Sequence, residues 1–137
     1  MGLFGKKKNI PEGIRVMFYE GDLPGFLCDF PCQIRLEDEY LLITKVNPSV
    51  EVKLNRDRIL GVEIFIFENQ YMTKYKGVNI TTTKEKSTPK QYYVFHYVDK
   101  NGNKKHLDFW GTSFETGKIQ KIQEALLKNN VSSSYEI

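Results

Sequence analysis

Apolar and polar positions alternate with period two over much of the chain, the pattern of strands that bury one face. Ile14-Arg15-Val16-Met17-Phe18-Tyr19 opens the series, and the turn residues Glu20-Gly21-Asp22-Leu23-Pro24-Gly25 break it. Cys32 to Glu37 and Tyr40 to Val46 flank Asp38-Glu39 as a hairpin. After Asn47-Pro48-Ser49 the run Val50 to Leu54 alternates again, up to the polar turn Asn55-Arg56-Asp57-Arg58. Ile59 to Phe67 is almost continuously apolar, which predicts a strand buried on much of both faces. Tyr71 to Lys76 and Val78 to Thr83 read as short strands around Gly77, and Thr81 to Pro89 as a polar loop.

Tyr92 to Asp99 and Lys104 to Trp110 then flank Asn101-Gly102, a pair that tolerates the positive φ of a two-residue hairpin turn. That turn sets Tyr97 opposite His106 and His96 opposite Leu107, so the two histidines are expected on opposite faces. The chain closes with a helix over 113–129: Thr112 and Glu115 have capping-box spacing, and Ile119, Ile122 and Leu126 form an apolar stripe.

The reading is therefore mainly β, about seven antiparallel strands and one C-terminal amphipathic helix. Glu20-Gly21-Asp22-Leu23-Pro24, Ile34-x-Leu36 through Leu41-x-Ile43, and Val52-x-Leu54 followed by Ile59 and Val62 carry a resemblance. Together with the Asp99-Lys100-Asn101-Gly102 hairpin and the closing helix, they resemble bacterial pleckstrin-homology-like (PH-like) and GRAM-like domains. The resemblance covers residues 14–129 and implies a partly open barrel plugged by the helix; the residues outside it read as a flexible basic tail at 1–13 and a disordered tail at 130–137. No cofactor is expected; members of that superfamily bind phosphoinositides, peptides or proteins, so the fold alone does not name a ligand.

Composition narrows the classes. The 137 residues suit one domain. The net charge of +3 resides in Lys6, Lys7 and Lys8: 20 Lys and Arg less these three leaves 17, which balance the 17 Asp and Glu. A near-neutral body argues against nucleic-acid binding. No apolar run is long enough to span a bilayer, Asn9-Ile10-Pro11-Glu12 does not serve as a signal-peptide core, and Lys6 spoils a myristoylation match at Gly2. Two cysteines, Cys28 and Cys32, read as free thiols in a reducing cytoplasm, and no second pair completes a zinc site.

Three candidate sites emerge. Tyr93, Phe95, Tyr97 and Trp110 fall together on one face under the two-residue turn, a patch for a protein partner or for self-association unless the N-terminal segment or the helix covers it. Lys6, Lys7, Lys8, Lys74, Lys76, Lys84, Lys86 and Lys90 suit weak contact with an anionic membrane surface, peripheral to its inner face. The loop Glu20 to Pro31 holds no Lys or Arg, however, and departs from the lipid-binding members at the place where they carry basic residues. His106 and Asp108 share a face and suit general-base chemistry in a small hydrolase, or else form a solvated ion pair; no nucleophile elbow or phosphate loop accompanies them. The expectation is a noncatalytic interaction or scaffold module.

Overall fold

The computed structural model describes residues 13–46, 49–77 and 90–131. Seven strands run β1 (Ile14–Glu20), β2 (Phe30–Leu36), β3 (Tyr40–Lys45), β4 (Val50–Asn55), β5 (Ile59–Phe65), β6 (Gln91–Val98) and β7 (Lys104–Gly111). They form one antiparallel sheet in the order β4-β3-β2-β1-β7-β6-β5. Among the described residues no ladder joins the two end strands β4 and β5, so the sheet is a partly open barrel, an architecture compatible with a PH-like fold. A short helix α1 (Glu68–Tyr71), extended by the wider π-helical turn Met72–Lys76, lies on the outer face, and helix α2 (Ser113–Val131) ends the fold.

The alternation seen in the sequence places Val16, Phe18, Ile34, Leu41, Ile43, Leu54, Phe95 and Phe109 inside. Ile119, Ile122 and Leu126 of α2 join that core. The helix starts as a capping box: Thr112 N–H and its hydroxyl both reach Glu115 Oε1 at 2.7 Å, and Thr112 Oγ1 accepts from Phe114 N–H at 3.2 Å. At Gly21 the chain crosses close over β7; a Cβ there would sit 2.9 Å from the His106 carbonyl oxygen, and φ is +138°.

Three expectations change. The run Ile59 to Phe67 is not buried on both faces: β5 is an end strand that stops at Phe65, and Leu60, Ile66 and Phe67 are exposed. Tyr71 to Lys76 is helical, not extended, because Tyr71, Met72 and Tyr75 lie one turn apart and pack together onto the aromatic outer face of β5 to β7. Val78 to Thr83 lies outside the described residues. The hairpin between β6 and β7 has a longer loop: Asp99 N–H donates to Asn103 O at 2.9 Å, and the ladder starts at Val98 opposite Lys104. The Asp99 carboxylate explains this, accepting from Asn101 N–H at 2.8 Å and Asn103 N–H at 2.9 Å, while Gly102 takes φ +88°. Three residues, 100–102, make the turn, and the register shifts by one position.

Candidate functional site

The shift brings the histidines together. His96 and His106 are direct cross-strand partners on the outer face, their ring centroids 5.7 Å apart, so the expected separation to opposite faces is wrong. Each has its own carboxylate. His96 Nε2 lies 2.7 Å from Glu63 Oε1 on β5, and His106 Nδ1 lies 2.5 Å from Asp108 Oδ1 two residues along β7. The π-helical turn lowers Tyr75 between the two rings, with centroids 6.5 Å from His96 and 5.0 Å from His106.

Tyrosines of the covering segment complete the hydrogen bonding. Tyr71 donates to Asp108 Oδ2 and Tyr75 donates to Glu63 Oε1; Tyr75 Oη also lies 3.2 Å from His96 Nε2. Lys74 donates to Glu63 Oε2 at 2.5 Å, Lys76 pairs with Glu20, and Tyr92 donates to Glu68 at 3.0 Å. Tyr71 stacks on Tyr92 with centroids 4.2 Å apart and planes 4° from parallel. Asp108 is 1% exposed and so is not a solvated partner of His106; with the Tyr71 phenol and the imidazole on it, its burial is compensated.

The electrostatics follow from these contacts. Burial pushes the Glu63 carboxyl up, but hydrogen bonds from Lys74, Tyr75 and His96 and the Lys74 charge outweigh it and hold the group down at about 2. Burial, then the carboxylates they donate to, push the Tyr71 and Tyr75 phenols up, so both stay protonated as donors. Burial alone pushes the Cys32 thiol up to about 12, whereas Cys28 is exposed.

The expected aromatic patch is divided between the two faces. Tyr93, Phe95 and Tyr97 point into the core, and Tyr93 hydrogen-bonds Thr116 of α2 at 2.8 Å. Trp110 points outward beside Tyr92, because the one-residue shift reverses the side on which it faces its neighbours. Its indole N–H donates to Asp29 Oδ1 at 2.8 Å, and Lys90 lies over its ring at 4.5 Å. Asp29 holds a left-handed φ of +59°, uncommon outside glycine, with its own N–H bonded to Phe18 O at 2.7 Å.

Beside Trp110 the sheet parts. β1 pairs with β7 only as far as Met17 opposite Trp110, so among the described residues Ile14 to Val16 have a ladder on the β2 side alone. A groove of about 670 Å³ opens there, lined by Arg15, Met17, Phe30, Val46, Trp110 and Glu115 among others. Neither histidine lines it. Of the expected basic surface, Lys74 and Lys76 are paired with Glu63 and Glu20, and Lys90 with the Trp110 ring. Lys6, Lys7, Lys8, Lys84 and Lys86 lie outside the described residues. Among the described residues no group of three or more His, Cys, Asp or Glu is placed to hold a metal ion, and no helix is long and apolar enough to cross a membrane.

The histidine cluster was hidden in the sequence by the turn length, and Asp99 two residues before Asn101 is the signal that reveals it. The sequence matches no protein-family model and none of the curated proteins.

Proposed function

We propose that this chain is a noncatalytic PH-like interaction module of the cytoplasm that takes an extended segment of a protein partner in the groove between β1 and β7. One observation carries the reading: beside the open side of Ile14 to Val16 the groove combines apolar walls, Met17, Phe30, Val46 and Trp110, with the exposed cation Arg15. Unpaired strand backbone next to side-chain pockets is the physical requirement for adding a peptide strand. The strand order and closing helix support the PH-like assignment. The basic-surface alternative loses support from Lys74 and Lys76, whose charges are paired within the chain.

Peptides selected from a displayed random library test this. The expected ligands bind the wild type and lose about tenfold or more in affinity on Arg15→Glu or Val46→Asp, two exposed positions whose change leaves the core intact. Recovery of no ligand, or of ligands indifferent to both variants, overturns it.

A second reading has its own observation. The buried Asp108 orients the half-exposed His106 as in a general-base dyad. Turnover of ester or phosphoester substrates that vanishes in His106→Ala would replace the binding module with a small hydrolase.

A further inference from the structure

The two end strands of the sheet are finished differently. Along β5, helix α2 packs against the strand, and Gln123 Nε2 donates to the Val62 carbonyl at 2.7 Å, which occupies an outward-facing acceptor of that edge. β4 has its ladder with β3 on one side, and on the other none among the described residues. Its side chains alternate strictly. Glu51 and Lys53 are exposed on the outer face, Val50 and Val52 are half-buried toward the core, and Leu54 is buried. Among the described residues Glu51 makes no ion pair, and Lys53 rests over the Tyr40 ring at 5.0 Å.

Read outward from Val52, the strand Val50-Glu51-Val52-Lys53-Leu54 is complementary to itself run backwards. An antiparallel copy centred on Val52 sets Glu51 opposite the copy's Lys53 and Lys53 opposite its Glu51 on the outer face. On the core face Val52 meets Val52 and Val50 meets Leu54. Directly opposed residues share a face and have Cβ atoms about 5 Å apart, so both ion pairs and all three apolar pairs form at once. A lysine on an edge strand ordinarily discourages pairing. Here a second copy supplies the matching carboxylate twice.

We infer that β4 is a docking edge for a second copy of this chain, the two sheets joining across a twofold axis at Val52. A contact of this kind is isologous and closed, so it stops at two copies. It goes beyond the groove reading and does not depend on it, since the groove lies at β1 and β7.

Sedimentation velocity from about 10 to about 300 µM, the range suited to a small interface, is the test. The wild type is expected to dimerise with concentration. Glu51→Lys places like charges opposite each other twice, as does Lys53→Glu, and each is expected to weaken association about tenfold or more. The double variant E51K/K53E restores complementarity and is expected to return the dimer. Circular dichroism should show all three folded, because both side chains are exposed. A wild type that stays monomeric, a dimer indifferent to both single changes, or a double variant that fails to recover would each overturn the inference. Peptide binding at the groove by the monomeric variants would show that the two proposals fail or stand separately.

Discussion

Over β5, β6 and β7 the outer face of the sheet carries Glu63, His96, His106 and Asp108 and is roofed by the segment Glu68–Lys76. Over β1 to β4 the same face carries Arg15, Gln33, Arg35, Thr44 and Glu51, with Arg15, Gln33 and Glu51 exposed. Both halves are polar, yet only one is packed over. The roofed half buries Asp108 and half-buries Glu63 because the roof brings donors to both: Tyr71 for Asp108, Tyr75 and Lys74 for Glu63. In the open half Arg35 pairs with Glu37, while Arg15 and Glu51 are exposed to solvent and need no such set. Stability in the roofed half therefore hangs on mutual satisfaction, and there a single deletion should propagate.

Tyr71→Ala is the strongest way to break that contrast. It removes a fully buried ring stacked on Tyr92 and leaves the Asp108 carboxylate short of a donor. The expected loss is about 3–5 kcal/mol in urea unfolding, from the cavity and the unpaired acceptor together. Tyr71→Phe keeps the stack and removes only the hydroxyl, for about 1–2 kcal/mol. Equal losses in the two variants would show that the ring contributes nothing beyond its hydroxyl, and the account of the roof as a packed element would fall.

Acid sharpens the same contrast. The folded value of Glu63 lies below its ordinary 4.5, at about 2, so ionised Glu63 adds stability that is complete above about pH 4.5 and lost as the pH falls toward 2. The folded protein binds fewer protons than the unfolded chain in that window, which gives the slope its sign. Glu63→Gln should lower stability at neutral pH by on the order of 1–2 kcal/mol and flatten the dependence between about pH 4.5 and 2. An unchanged slope in the variant would remove Glu63 from the clasp.

The two halves also differ in how far the sequence disclosed them. β1 to β4 were legible to within two residues, since Val16, Phe18, Ile34, Leu41, Ile43 and Leu54 alternate with polar positions and periodicity is what a half-buried strand writes into a sequence. Helix α2 was legible from its cap and stripe. The roof was not. Tyr71, Thr73 and Tyr75 favour extended structure locally, and the segment is helical because its aromatic side meets Tyr92, Phe65 and Tyr19 on the sheet, a tertiary preference no local window contains. The cluster beneath it was lost for a smaller reason. One extra residue in the β6–β7 turn, held by Asp99, reversed every facing relation on the hairpin, joining His96 to His106 and separating Trp110 from Tyr93, Phe95 and Tyr97.

The smallest expected effect belongs to the open half, and there it is the smallness that tests the comparison. Gln33 on β2 stands exposed between Arg15 and Thr44, its two cross-strand partners, and lines the shallow hollow beside Gly13 and Arg35. Gln33→Ala keeps the strand backbone and its ladder and removes an exposed amide. The change in unfolding free energy is expected within about 0.5 kcal/mol. Thr44→Ala, at the directly opposed position on β3, should be similarly small, because neither side chain belongs to a buried polar network. A loss near that of Tyr71→Phe from either change would mean that the open face is also held by specific polar contacts. The division of the sheet into a roofed half that depends on its partners and an open half that depends on water would then not hold.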